Sequence, residues 1–135
     1  MHLVVDANIV IAALVKDSTT RKLLLSEKFE LAAPQFLFEE LEKHVSEISK
    51  KAKVGKIELN KLILHMQKTS KITIYESGGF RGLMKEAQKI SPDKNDSQYF
   101  ALALHLNCQI WSNDKEMKNQ DKVGIFNTKE ILELY

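Results

Sequence analysis

The chain has 135 residues, 44% hydrophobic and 28% charged, which is the size and composition of one soluble globular domain, so we expect a single domain over residues 1–135. Its one cysteine, Cys108, excludes an internal disulfide, and no apolar run approaches the roughly 20 residues that span a bilayer, so we expect a cytoplasmic protein without a membrane partner. The formal net charge of +2 does not by itself indicate a nucleic-acid binder, and it excludes no soluble function.

The start of the chain predicts a strand followed by two helices. The apolar, β-branched run over residues 2–5 predicts a buried parallel strand, and residues 9–15, apolar on nearly all sides, predict a helix. The leucines at 23–25 belong to a second helix, for which Thr19 or Thr20 is the expected N-cap.

The next stretch predicts a strand and two longer helices. Residues 31–33 form a short strand, and Pro34 stands where a helix begins. One amphipathic helix is predicted by apolar residues at spacings of three and four, which are Phe36, Leu37, Leu41, Val45 and Ile48. Gly55 ends that pattern, and residues 57–66 predict another helix.

The second half of the chain repeats the alternation. Residues 72–75 predict a strand, and the glycine pair at 78–79 predicts a turn into a helix over 83–90. Residues 96–106 predict a helix that is apolar on most faces, and we therefore expect it to be central.

The last predicted elements are two short strands and a helix. The strands cover 109–111 and 123–126, and Thr128 is the expected cap of the final helix. Strands that alternate with helices predict a mainly parallel central sheet covered on both faces, which is a three-layer α/β/α sandwich. In such sheets ligands bind beyond the carboxyl ends of the strands.

Two aspartates follow predicted strands. Asp6 interrupts an apolar run, and since a buried unpaired charge is costly, it must reach water at the edge of the core or hold a cation. Asp114 comes shortly after the strand over 109–111. Both carboxylates are therefore expected at the ligand-binding edge of the sheet.

Two further acids are candidates for the same edge. Asp96 opens the most apolar helix, where its alternative role is N-capping, and Asp93 is an equally good cap. Glu40 borders the apolar stripe of its helix, and the alternative is that Glu39 and Glu40 both face solvent. A divalent cation explains such a group better than solvent exposure does, because converging carboxylates otherwise repel one another.

Four short motifs that contain these acids follow one another along the chain. They are VVDANI with Asp6, APQFLFEEL with Glu40, NDSQYFALAL with Asp96, and WSNDKEM with Ser112 and Asp114. Together they resemble the PIN domain family of metal-dependent ribonucleases, over nearly the whole chain. The chain departs from the common pattern in having Ser112 where threonine is usual, a Glu39-Glu40 doublet, and an additional acid, Asp93, that either holds metal or caps the helix.

The resemblance implies an endoribonuclease that cleaves single-stranded RNA and leaves a 5′-phosphate and a 3′-hydroxyl. One or two Mg²⁺ or Mn²⁺ ions would be held by the catalytic residues Asp6, Glu40, Asp96 and Asp114. Ser112 would be a further member of the site and orient a carboxylate or a water. Asn8 would either cap the first helix or take part in catalysis.

The resemblance also implies partners. Small single-domain members are often toxins of toxin–antitoxin pairs, held inactive by a short antitoxin that covers the acidic pocket, whereas others process ribosomal or messenger RNA. PIN-like proteins commonly form homodimers, so a homodimer or larger homo-oligomer is expected. RNA needs positive charge near the site, and the leading candidate for an RNA-contacting arm is the cluster Lys50, Lys51, Lys53 and Lys56.

The main alternative is a PIN-fold protein that binds RNA or a protein partner without cutting, since a fold alone does not assign function. A receiver domain is disfavoured because the strand over 72–75 does not end in aspartate, and a haloacid-dehalogenase-type phosphatase because position 8 is asparagine. Glu40 and His44 have the spacing of a chelating pair, but the other histidines have no companion, so a structural zinc site is not expected.

Overall fold

The computed structural model describes residues 1–15, 18–69 and 71–134. Within these residues five strands form one sheet: His2–Val5 (β1), Glu30–Pro34 (β2), Ile72–Tyr75 (β3), Gln109–Trp111 (β4) and Ile125–Phe126 (β5). The α-helices are Ala7–Val15 (α1), Ser18–Leu24 (α2), Phe36–Lys43 (α3), Val45–Ala52 (α4), Lys56–Thr69 (α5), Met84–Ile90 (α6), Ser97–Leu106 (α7) and Thr128–Leu134 (α8). Short 3₁₀ segments are Ser77–Gly79, Arg81–Leu83, Lys94–Asp96 and Lys115–Lys118.

All five strands are parallel, in the order β3-β2-β1-β4-β5. Helices flank the sheet, and the fold is the three-layer α/β/α sandwich that the alternating elements predict. From β1 the chain adds β2 and β3 on one side, and it then returns to add β4 and β5 on the other side. The connections therefore diverge between β1 and β4, and the carboxyl ends of two such strands are where ligands bind in open parallel sheets.

Strand β1 and helix α7 form the centre of the core. Leu3, Val4 and Val5 on β1 are fully buried, and α7 contacts β1, β2 and β4. Tyr99 and Phe100 on α7 are also buried, so the central position predicted for this helix is confirmed. Among the described residues, no helix combines the length and the apolar character that crossing a membrane requires.

The single helix predicted from Phe36 to Ile48 is wrong, because two helices, α3 and α4, meet at His44. His44 has φ −105° and ψ 11°, outside the helical region, and its Nδ1 lies 3.6 Å from Oε2 of Glu47. Its N–H still donates to the Glu40 carbonyl oxygen, and its own carbonyl oxygen accepts from the Ile48 N–H. One non-helical residue leaves the apolar spacing intact, so periodicity does not reveal the break.

Two predicted helix starts are also wrong. Pro34 does not begin a helix but ends β2, because it is paired with Tyr75 in the parallel ladder. Helix α2 begins at Ser18, so Thr19 and Thr20 lie inside its first turn and not at its cap.

The final strand and helix also differ from the prediction. Strand β5 is shorter and begins at Ile125. The cap of α8 is Asn127 and not Thr128, since Oδ1 of Asn127 accepts from the Glu130 N–H at 2.8 Å, and the Asn127 N–H donates to Oε1 of Glu130 at 3.1 Å. Oγ1 of Thr128 instead accepts from Nε1 of Trp111 at 3.1 Å, which ties α8 to β4.

Candidate active site

Asp6 and the residues after β4 lie side by side at the carboxyl ends of β1 and β4. Val5 and Trp111 are partners in the parallel ladder, and the Asp6 N–H donates to the Trp111 carbonyl oxygen at 3.4 Å. Asp6 and Ser112 therefore leave the two strands at the same level. Asp114 follows two residues later and caps a short 3₁₀ segment.

Asp6 is 2% exposed, and two hydrogen bonds hold its carboxylate. Oδ1 accepts from the Ile9 N–H at 3.1 Å, so Asp6 is the N-cap of α1. Asn8 is an exposed residue in the first turn, so of the two alternatives for it the capping role is wrong. Oδ2 of Asp6 accepts from the Ser112 hydroxyl at 2.5 Å. These two donors explain why an acidic residue is tolerated inside an apolar run.

Ser112 joins the two aspartates that follow β1 and β4. Its hydroxyl is buried, donates to Asp6 and accepts from the Asp114 N–H at 3.0 Å. Oδ1 of Asp114 in turn accepts from the Glu116 N–H at 3.0 Å. The turn after β4 is therefore organised by its own side chains, and it is linked to β1 through one hydroxyl.

Asp96 occupies the N-cap position of α7, but its side chain makes no capping hydrogen bond. A cap is formed instead by Asp93, whose Oδ1 accepts from the Asn95 N–H at 2.9 Å at the start of the preceding 3₁₀ segment. The contacts of Asp93 thus favour the cap role. Asp96 is half-buried, and the hydroxyl of the next residue, Ser97, is buried without a hydrogen-bond partner among the described residues.

Glu40, and not Glu39, has a contact with the buried helix α7. Glu39 is exposed, whereas Glu40 is half-buried and its Oε1 accepts from the Tyr99 hydroxyl at 2.5 Å. Tyr99 was not among the residues expected at the site. Two signals point to it: it lies three residues after Asp96, and a buried tyrosine hydroxyl usually needs a partner.

The pKa of Asp6 is raised from its usual 3.8 to about 6, chiefly by burial. The hydrogen bonds from Ser112 and Ile9 lower this pKa, and the negative charges of Asp114 and Glu40 raise it. Both of these acids are therefore close enough to Asp6 for their charges to act on its carboxyl group.

The pKa of Asp96 is raised from 3.8 to about 7, first by burial and then by neighbouring negative charges. The acids that raise it are Asp93, Asp6, Asp114 and Glu40. The negative charges of the other three motif acids thus all act on Asp96, and that of Asp93 acts on it as well.

This group of residues suits a hard divalent cation. Its donors are carboxylate oxygens, which Mg²⁺ and Mn²⁺ prefer, and a cation would relieve the mutual repulsion of the acids. Within the described ranges, no three His, Cys, Asp or Glu side chains are grouped closely enough to form a complete metal site by themselves. Mg²⁺ usually takes one or two carboxylates and keeps several waters, so an open arrangement still fits.

Other candidate groups in the structure form neither a metal site nor a reactive centre. Glu40 and His44 are not a chelating pair, because His44 ends α3 and its ring faces Glu47. Burial raises the pKa of the Cys108 thiol to about 11, so the thiol is not activated. A cavity of about 380 Å³ between α1, α2 and α5 has a mostly apolar lining that contains none of the four acids.

A family model described as PIN domain matches residues 4–130. No curated protein matches the chain. Among solved structures, a chain in the crystal structure of VapBC2 from Rickettsia felis, bound to a DNA fragment from their promoter, is similar with a TM-score of 0.62. The two chains are 19% identical, and the match covers 94% of this chain and 98% of that one, so the likeness is one of fold.

Proposed function

Because this chain belongs to the PIN domain family, we propose that it is a metal-dependent endoribonuclease that hydrolyses phosphodiester bonds of single-stranded RNA. The observation that carries the proposal is the link between Asp6 and Asp114, which follow neighbouring parallel strands and are joined through the Ser112 hydroxyl. The negative charges of Glu40, Asp6 and Asp114 also raise the pKa of Asp96. Acids that repel one another at the ligand-binding edge of a parallel sheet gain stability from a bound cation. A phosphodiester brings negative charge to the same place, which a cation would offset.

In this proposal the ligands of Mg²⁺ or Mn²⁺ are Asp6, Glu40, Asp96 and Asp114. A bound divalent cation supplies positive charge for the phosphate and lowers the pKa of the attacking water. Ser112 keeps the Asp6 carboxylate in one orientation, and the Ile9 N–H holds the other oxygen of the same carboxylate. Asp6 is therefore the most firmly held of the proposed ligands.

The RNA strand would lie along a groove between α1 and α4. This groove has a volume of about 220 Å³, and its lining extends from Asn8, two residues after Asp6, to Lys51. Lys51 belongs to a lysine cluster around the turn between α4 and α5, and all its members are exposed: Lys50, Lys51, Lys53 and Lys56. Because phosphate contacts dominate nucleic-acid affinity, we assign RNA binding to this lysine cluster.

We further propose that the protein is the cytoplasmic toxin of a toxin–antitoxin pair, and that it forms a homodimer or larger homo-oligomer. The support is the family resemblance and the similarity in fold to a chain of VapBC2. Leu25 and Leu62, beside the apolar cavity, are 53% and 41% exposed and offer a surface for a protein partner. Growth arrest on expression, relieved by a small protein encoded next to this one, would support the toxin role.

The test of the nuclease is cleavage of labelled single-stranded RNA by purified protein in Mn²⁺, Mg²⁺ or EDTA. We expect metal-dependent cutting that is lost in Asp114→Asn and kept in Asp121→Asn, a matched change at an exposed aspartate. Metal binding without cutting of any RNA would reject the nuclease and favour a PIN-fold protein that only binds RNA or a protein partner. Cutting that survives in Asp114→Asn would indicate a contaminating nuclease.

A further inference from the structure

Tyr99 on α7 contacts two positions on one face of α3. Its hydroxyl donates a 2.5 Å hydrogen bond to Oε1 of Glu40, and its ring centroid lies 6.2 Å from that of Phe36, with the rings tilted by 60°. Phe36 and Glu40 are four residues apart and therefore neighbours on the helix surface. Tyr99 is 1% exposed and Glu40 is half-buried, so the hydrogen bond joins a core residue to one at the edge of the core.

The Tyr99 hydroxyl is a suitable partner for Glu40, because a tyrosine hydroxyl can donate one hydrogen bond and a carboxylate oxygen accepts it. Tyr99 lies three residues after Asp96, which occupies the N-cap position of α7. The helix that provides the donor to Glu40 is therefore the helix at whose start Asp96 stands.

Glu40 needs such a contact more than the buried Asp6 does. A glutamate side chain has three rotatable bonds, and a half-buried one without a partner samples several rotamers, which must be given up when a cation binds. We infer that Tyr99 is a positioning residue that holds the Glu40 carboxylate ready for the cation, as Ser112 holds that of Asp6. This inference rests on the proposed function, because it concerns the same metal site.

The test compares Tyr99→Phe, which keeps the ring beside Phe36, with Tyr75→Phe, a control at a half-buried tyrosine on β3. Mn²⁺ affinity is measured from the rise in melting temperature over a Mn²⁺ titration, and RNA cleavage is measured separately as kcat and KM. Loss of a contact that orients a metal ligand typically weakens metal binding about tenfold to a hundredfold. We expect that loss in Tyr99→Phe and wild-type affinity in Tyr75→Phe.

Phe36→Leu separates the hydrogen bond from the packing of the ring. This variant removes the aromatic neighbour of Tyr99 but leaves the hydroxyl and Glu40, so we expect a lower melting temperature and unchanged Mn²⁺ affinity. Mn²⁺ affinity that falls as far in Phe36→Leu as in Tyr99→Phe would assign the effect to packing and overturn the inference. Wild-type affinity in Tyr99→Phe, or its failure to fold, would overturn it as well.

The Mn²⁺ measurement distinguishes this inference from the proposed function. If the wild type binds Mn²⁺ but cuts no RNA, the nuclease is rejected, and the affinities of Tyr99→Phe and Phe36→Leu still decide the role of Tyr99. If the wild type cuts RNA and Tyr99→Phe binds Mn²⁺ equally well, only the positioning role is rejected. If the wild type binds neither Mn²⁺ nor Mg²⁺, both are rejected.

Discussion

The Ser112 hydroxyl donates a 2.5 Å hydrogen bond to Oδ2 of Asp6, although the two residues are 106 positions apart in the sequence. They follow neighbouring parallel strands and are 1% and 2% exposed. Because a buried carboxylate depends on its donors more than an exposed one, this contact ties the orientation of Asp6 to a residue near the other end of the chain.

Ser112→Ala is expected to lower the free energy of unfolding by about 1–3 kcal/mol, because Oδ2 of Asp6 is left buried without its donor. RNA cleavage should fall as well. Ser112→Thr keeps the hydroxyl and should retain more of both properties. Urea unfolding and the RNA assay measure the two effects. An alanine variant as stable and as active as the wild type would contradict the role assigned to this hydrogen bond.

Stability without metal is expected to fall as the pH rises from about 4 to about 8 through the titration of Asp6 and Asp96. Burial raises the pKa of Asp6 to about 6 and that of Asp96 to about 7, both above the usual 3.8. At pH values between the usual pKa and the raised pKa, the folded state binds more protons than the unfolded state. The stabilising contribution is therefore complete below the unfolded pKa and is lost as the pH passes the folded pKa values. For Asp6, about 1.4 kcal/mol per pKa unit corresponds to a loss of about 2–3 kcal/mol.

Asp96→Asn is expected to abolish cleavage and to remove part of that pH dependence. The amide cannot be repelled by the neighbouring acids, so the variant should be more stable than the wild type above about pH 7 and similar to it below about pH 4. Urea unfolding at three pH values measures this, with Asp121→Asn as the exposed control. A variant that does not fold would show that Asp96 is needed at the start of α7.

Millimolar Mn²⁺ is expected to raise the melting temperature, because a ligand that binds only the folded state stabilises it by mass action. At a free concentration one hundred times Kd, the stabilisation is about 2.7 kcal/mol. Differential scanning fluorimetry measures the shift, which EDTA should reverse. Asp114→Asn should reduce the shift, and Asp121→Asn should leave it intact. A melting temperature that moves with neither Mn²⁺ nor Mg²⁺ would argue against a shared metal site.

Reversing two charges in the lysine cluster is expected to weaken RNA binding and its salt dependence. For single strands, each phosphate contact contributes about 0.7 to the slope of log affinity against log salt, so Lys51→Glu with Lys53→Glu should lower the slope by about 1.4. Binding is measured in the Asp114→Asn background to prevent cutting. The control reverses Lys122 and Lys129, exposed lysines near β5 and in α8. An equal loss of RNA affinity in the two double variants would indicate a non-specific effect of charge.

Local sequence patterns predicted the strands and most helices because each element carries its own apolar spacing. The resemblance to the PIN domain family is confirmed by the match over residues 4–130, and the three-layer sandwich is confirmed by the parallel sheet. The break at His44 and the capping box at Asn127 were missed. The break at His44 leaves the apolar spacing unchanged. The capping box depends on whether Asn127 or the adjacent Thr128 forms the hydrogen bonds with Glu130.

The sequence by itself determined that Asp6 and Asp114 lie at one edge of the molecule, because parallel strands bring their carboxyl ends to the same side of a sheet. Only the tertiary structure decided that Glu40 meets a partner on α7 while its neighbour Glu39 stays exposed. It also decided that Tyr99 is that partner. The Tyr99–Glu40 hydrogen bond spans 59 positions, and a contact of that kind is formed by the packing of two helices and leaves no trace in local spacing.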